Sequence, residues 1–322
     1  MLTKLLRAVV ATLLLFGNGY ACAQGYPAKQ IRLVVPYPPG ASTDIVARMV
    51  AQKVSEDFKQ PVVVENRGGA SGNLGSDFVS KAAPDGYTFL LGTDATHSSN
   101  PYLFKNFPFD VIKDTTPITM AAKNILVLVA NPKFPPNNVR ELIQYAKQHP
   151  GTLSYGSSGT GSPHHLAGEM LNEQAGIDLT HIPYKGGGPA VVDVLGGQIP
   201  LVFASLVSVT SYVQAGKLKV LAVTEPTRYP GLLEVQTVAE TLPGFEMSSW
   251  LGFFGPPKMS APVLARLNEA IVKALAAPES TAKLEAQGLM VVANSPEQFA
   301  SQQKAAYEKR GKIIKAIGIQ PE

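Results

Sequence analysis

Pro38-Pro39-Gly40-Ala41-Ser42-Thr43-Asp44 stands between the apolar run Ile31-Arg32-Leu33-Val34-Val35 and a stretch in which Ile45, Val46, Met49, Val50, Val54 and Phe58 recur at helical spacing. A strand, a short glycine-containing turn and a helix, in that order, form the opening unit of an α/β fold. Ser42 or Thr43 would serve as the helix N-cap, and the small residues before them let a backbone or a ligand come close.

The pattern continues along the chain. Strand-like runs at 61–65, 87–91, 125–130, 153–157, 179–183, 199–204 and 219–223 alternate with helix-period segments at 74–83, 139–149, 163–176 and 189–195. The tail is mainly helical, best at 263–276 and 296–317. This predicts an α/β architecture of mainly parallel sheets flanked by helices. With 322 residues, two lobes are expected rather than one core. No repeat or low-complexity linker marks a boundary. Topology therefore places one lobe at 25–124 rejoined by 225–322 and the other at 125–224, connected by a two-strand hinge.

Residues 1–23 read as a cleaved signal peptide: Lys4 and Arg7 precede the apolar run 8–16, and Ala21-Cys22-Ala23 is an A-x-A cleavage site. The apolar run is short for a membrane anchor. Lipidation of Cys22 is an open alternative, although Gly19-Tyr20-Ala21 is a poor lead-in for it. Cys22 is the only cysteine, so the mature chain could form no disulfide. The formal charge of +4 drops by two when Lys4 and Arg7 are removed, and no basic run remains to support nucleic-acid binding.

A second strand-to-helix junction, Ser157-Ser158-Gly159-Thr160-Gly161-Ser162-Pro163, matches the first in composition. The first N–H groups of a helix have no intrahelical partner, and each helix start carries about half a positive charge. Two such starts facing one cleft could hold a carboxylate without a buried Lys or Arg. One junction alone reads more simply as capping; the pair, at equivalent places in the two halves, favours a ligand.

Other segments carry less. Gly68-Gly69-Ala70-Ser71-Gly72-Asn73 also precedes a helix, but no dinucleotide or P-loop pattern occurs and no cofactor is implied. His164, His165 and Glu169 lack the remaining ligands of a zinc site, so no metal is expected. Serines near 157 and 162 raise a hydrolase reading, but G-x-S-x-G is absent. Tyr184-Lys185-Gly186-Gly187-Gly188-Pro189 reads equally as a lysine at the cleft or a solvated turn. Trp250, Phe253 and Phe254 read as core packing.

Taken in order, Tyr37 to Asp44, Glu65-Asn66-Arg67 through Gly75, Pro84-Asp85-Gly86-Tyr87, Gly161-Ser162 with His165-Leu166-Ala167-Gly168-Glu169, Pro183-Tyr184-Lys185-Gly186 and the ending from Gly311 to Ile319 resemble the Bug family. These are periplasmic receptors of tripartite tricarboxylate transporters. The resemblance implies a two-lobed periplasmic binding-protein fold of type II character, no catalysis, and a receptor that passes a carboxylate to the transporter's membrane subunits; with the only long apolar run removed on export, the mature chain is expected to be a monomer. Implied ligands are di- and tricarboxylates, acidic amino acids or aromatic carboxylates. It further implies ligand contacts from Tyr37, Pro39, Gly40, Ala41, Ser42 and Thr43 on one side and Ser158, Gly159, Thr160, Gly161 and Ser162 on the other. Asp94, Ala95 and Ala204 would line the cleft.

Three departures bear on the ligand. Ala41 replaces a usual second glycine, Ala204 a common acidic residue, and Gly255-Pro256-Pro257-Lys258 a small-residue turn. Without an acid at 204 to pair with an amino group, a plain carboxylic acid is favoured over an amino acid. A periplasmic sensor for a signalling system is the alternative role on the same scaffold.

Overall fold

The computed structural model describes residues 25–39, 42–184 and 186–321. The leader read at 1–23, Cys22 with it, and Gly40, Ala41 and Lys185 lie outside the described residues, as does the side chain of Ser42.

Eleven strands are described: β1 (Ile31–Val35), β2 (Val62–Asn66), β3 (Thr88–Thr93), β4 (Thr116–Asn124), β5 (Leu126–Ala130), β6 (Ser154–Ser157), β7 (Thr180–Pro183), β8 (Leu201–Ser205), β9 (Lys219–Val223), β10 (Ser249–Gly255) and β11 (Leu289–Val291). They form two sheets, ordered β11-β4-β10-β3-β1-β2 and β7-β6-β8-β5-β9. The first draws strands from both ends of the chain and the second only from the middle. The parallel expectation holds where a helix makes the crossover, for β1 with β2 and β3 and for β6 with β7 and β8. β10 runs antiparallel to β3 and β4, β11 to β4, and β5 to β8 and β9, so both sheets are mixed. The physical reason is connectivity: a parallel neighbour needs a crossover helix, whereas a strand arriving from the other sheet can pair in either direction.

Helices follow from amphipathic spacing and local caps. In the helix Ser42–Phe58, Val46, Met49, Val50, Val54 and Phe58 are buried with Ile31, Leu33 and Val35 in one core cluster. The helix Val139–Gln148 starts on Asn138, whose side chain accepts the Glu141 N–H, and Pro163–Ala175 ends at left-handed Gly176. The long helix Pro296–Ala316 opens with a capping box between Ser295 and Gln298. Phe253 and Phe254 are fully buried and Trp250 nearly so; burial of a side chain of this size contributes roughly 1.5–3 kcal/mol.

The chain crosses between the sheets at two adjoining places. β4 passes into β5 through Ile125 alone, and after β9 the Thr224 N–H donates to Leu126 O at 3.0 Å while its hydroxyl donates to Met247 O at 2.7 Å. Lys123 pairs with Glu225 at 3.1 Å beside this crossing. Phe245 and Met247, and Ile313 and Ile314 of the last long helix, are buried in the core of the second sheet, so part of 225–322 packs there.

Candidate ligand cleft

On the first sheet, the turn after β1 is pinned from β2. The Asn66 amide donates to Tyr37 O and to Asp44 Oδ1, each at 3.0 Å, and Arg48 holds Asp44 one helical turn on. The Tyr37 hydroxyl lies 2.9 Å from Thr93 Oγ1, at the carboxyl end of β3. Burial pushes the Tyr37 phenol up to about 12, so it remains a neutral donor. Thr43 is buried beneath the turn, and its hydroxyl has no partner among the described residues. Pro39 is exposed at the tip.

Asp94 is buried, accepting from the Ser249 hydroxyl at 2.9 Å and facing Arg310 Nη2 at 3.4 Å. Burial pushes its carboxyl up, and the guanidinium opposes that shift. Its side chain is spent on tying the long helix to the first sheet. Ala95, the next residue, faces the cleft.

On the second sheet, the loop between β6 and Pro163–Ala175 rests on three histidines. Ser158 Oγ lies 2.6 Å from His164 Nδ1, Ser157 Oγ lies 2.6 Å from His181 Nε2, and the Gly161 N–H donates to His165 Nδ1 at 3.0 Å. That last bond requires an unprotonated nitrogen. His165 and His181 stack at 3.8 Å, and burial pushes His164, His165 and His181 down to about 4. Ser162 caps the helix by accepting the His165 N–H. Gly159 and Gly161 adopt φ of +125° and +74°, a region that favours glycine. For hydrolysis, Ser157 is fully buried and Ser162 is engaged in capping, so neither presents a free nucleophile.

Tyr37 after β1 and the loop after β6 both line a cavity of about 500 Å³. It gathers Tyr37, Ala95, Thr160, Gly161 and Ser162; Pro39, Thr43, Asp94, Ser158 and Gly159 are not among its described lining residues. Ala204 lies instead in the core with Val127 and Ala190, fully buried. Ser71, Asn100, Leu103, Phe104, Ile319 and Gln320 also line the cavity and carry no role in the sequence reading. Ser71 had a signal, the glycine-rich 68–73 segment: it has φ +55°, and its carbonyl accepts from the Asn100 amide at 3.1 Å. No ionised side chain is among the described lining residues. A wider groove of about 720 Å³, with Lys133 and Lys217, lies near the starts of β8 and β9 and the end of antiparallel β5, opposite the carboxyl ends of the parallel strands β6 and β8, where α/β sheets bind ligands.

A family model described as "Tripartite tricarboxylate transporter family receptor" matches residues 46–319. BugT of Bordetella pertussis is 36% identical over 278 residues, covering 86% of this chain and 85% of that protein. Among solved structures, the R. palustris protein Rpa4515 with adipate is 34% identical with a TM-score of 0.78, covering 92% of this chain and 100% of its own. MatC from Rhodopseudomonas palustris with bound malate is 29% identical with a TM-score of 0.74, covering 90% and 100%.

Proposed function

Because this chain belongs to the tripartite tricarboxylate transporter receptor family and is a solute-binding protein rather than an enzyme, we propose that it takes a small carboxylate between its two lobes and delivers it to membrane subunits of such a transporter. The observation that carries the reading is one cavity lined by Tyr37 after β1 and Ala95 after β3 on one side and by Thr160, Gly161 and Ser162 after β6 on the other, with no ionised side chain in its described lining. In such a site the ligand's charge is met by backbone N–H groups, hydroxyls and helix starts. The contacts we assign are Tyr37, residues 40–43 and Ala95 from one lobe and residues 158–162 from the other. Pro39 is exposed, Asp94 is buried against Arg310 and Ala204 lies in the second sheet's core, so none of the three is assigned a ligand contact.

The lobes we assign are 25–124 with 225–322 and 125–224, hinged where β4 passes into β5 and at the stretch following β9. The mature protein is a periplasmic monomer freed from residues 1–23. Among the described residues no helix is long and apolar enough to cross a membrane, which is compatible with that location. The adipate and malate held by relatives define the first compounds to try.

Calorimetric titration of the mature protein with succinate, malate, citrate, adipate and benzoate tests the reading. At least one should bind without being converted. Thr160→Asp, at an exposed position of the wall, should weaken that ligand roughly thirtyfold, since like charges about 8 Å apart repel by about 2 kcal/mol at an effective dielectric of about 20. Failure of every compound to bind, or an unchanged affinity in Thr160→Asp, would refute it.

A further inference from the structure

The C-terminal tail supplies a wall of the cavity that neither lobe's loops provide. The helix Pro296–Ala316 is fixed to the first sheet: Gln303 donates to Val111 O at 2.8 Å, Tyr307 stacks on Tyr102 at 4.8 Å, and Arg310 donates to Ser248 O at 2.6 Å. Its last turns belong elsewhere, because Ile313 and Ile314 are buried in the second sheet's core with Ile317 and Ile319 packed against them. The helix then stops at Gly318, whose φ of +69° reverses the chain. Ile319 and Gln320 are thereby brought onto the cavity, facing the same space as Leu103, Phe104 and Thr160. Ile319 is half-buried, and the Gln320 amide, 3.3 Å from Gly318 O, is exposed.

On the carboxylate reading above, we propose that Ile319 and Gln320 are specificity-determining residues that select the body of the ligand, while the glycine-containing loops hold its carboxylate. The division follows from chemistry. The Gly159, Gly161 and Ser162 N–H groups are bonded within their own loop, so the donors facing the cavity include the hydroxyls of Tyr37, Thr160 and Ser162, which any carboxylate satisfies and which cannot tell one acid from another. Leu103, Phe104 and Ile319 form an apolar side suited to a hydrocarbon chain or ring. Gln320 adds a neutral amide, both donor and acceptor, at the far side. A four-carbon diacid held at the loops leaves part of a space of about 500 Å³ unfilled, whereas a longer or aromatic acid reaches the tail.

The test uses the mature full-length protein with succinate, adipate and benzoate as probes, each titrated into wild type, Ile319→Ala, Gln320→Ala and a chain ending at Gly318. Adipate and benzoate should bind wild type more tightly than succinate. Ile319→Ala removes three carbons from a half-buried wall and should weaken adipate and benzoate about five- to tenfold, with succinate changed less than twofold. Gln320→Ala should weaken adipate, with its second carboxylate, more than benzoate. Truncation should bring all three probes to similar affinity. Apo melting temperatures of the two point variants should stay within about 2 °C of wild type. Equal loss for all probes would mean a structural role, and no loss would mean no contact; either result overturns the inference. A wild type that binds succinate but neither adipate nor benzoate also overturns it while leaving the carboxylate reading standing. One that binds none of the three overturns both.

Discussion

Gly161→Ala separates what the second loop needs for folding from what it needs for closure. A Cβ built at Gly161 would lie 2.5 Å from Cδ1 of Leu103, roughly 1 Å inside ordinary contact, and φ there is +74°. The backbone cost of about 1–2 kcal/mol is paid whether the lobes are apart or together, so it lowers stability without discriminating between the two states. The overlap is different, because Leu103 is carried by the first-sheet segment and meets Gly161 only when the loops are in contact. The atom overlapped is the end of the half-buried Leu103 side chain, which can turn aside, so the overlap costs about 1 kcal/mol, roughly fivefold in affinity. Leu103→Ala in the same chain removes the obstructing methyls but leaves the backbone strain. Calorimetry with adipate on both singles and the double variant, beside their apo melting curves, reads the two costs apart. Gly161→Ala should melt lower and bind roughly fivefold more weakly; the double variant should melt no higher yet recover a large part of the affinity lost relative to Leu103→Ala alone. If Leu103→Ala recovers nothing, the seam does not form in the bound state and the two-loop account of the cleft is refuted.

Stability should fall between pH 7 and pH 5. His97 is pushed down to about 3 and His164, His165 and His181 to about 4, all by burial, so the unfolded chain binds more protons below its own pKa near 6.5, and the folded form loses ground as pH drops toward 4. For the buried His164 the loss at pH 5.5 is about 1 kcal/mol. Melting curves across this range would rule the burial argument out if they were flat. Arg310→Met should destabilise the protein by about 3–5 kcal/mol in urea denaturation, because it leaves Asp94 buried without its cation, and adding Asp94→Asn should restore most of the loss. An Arg310→Met loss below about 1 kcal/mol would mean that the pair is not dry.

The sequence made the crossover strands legible and the hinge strands obscure. Ile31–Val35 is flanked by turns and rich in β-branched residues, and the structure places a strand at those residues. β4, Thr116-Pro117-Ile118-Thr119-Met120-Ala121-Ala122-Lys123-Asn124, lies between β10 and β11, carries a proline and two alanines, and shows no alternation to read. β10 was visible as apolar core through Trp250, Phe253 and Phe254, yet nothing local said that it would run antiparallel between β3 and β4. In the loop after β6, Gly159, Gly161 and Ser162 were legible because the positive-φ turns and the helix cap demand small or capping residues at those positions. Leu103, Phe104, Ile319 and Gln320 did not, since their placement depends on contacts made across about 200 residues of chain. Ala204 misled in the other direction: an alanine near a strand end fits a cleft and a core equally well, and here it packs into the core.

The strand order of the first sheet also dictates a timetable for folding. β10 lies between β3 and β4, so until residues 249–255 are available those two strands have exposed edges with nothing to join them. The second sheet is drawn wholly from residues 126–223 and meets no such wait. A chain emerging from its N-terminus therefore holds the earliest-made strands unpaired across the sheet's centre while the later-made sheet is already complete in sequence. The loop that closes β3 onto β10 encloses that whole sheet, which makes its contact order high and its closure late.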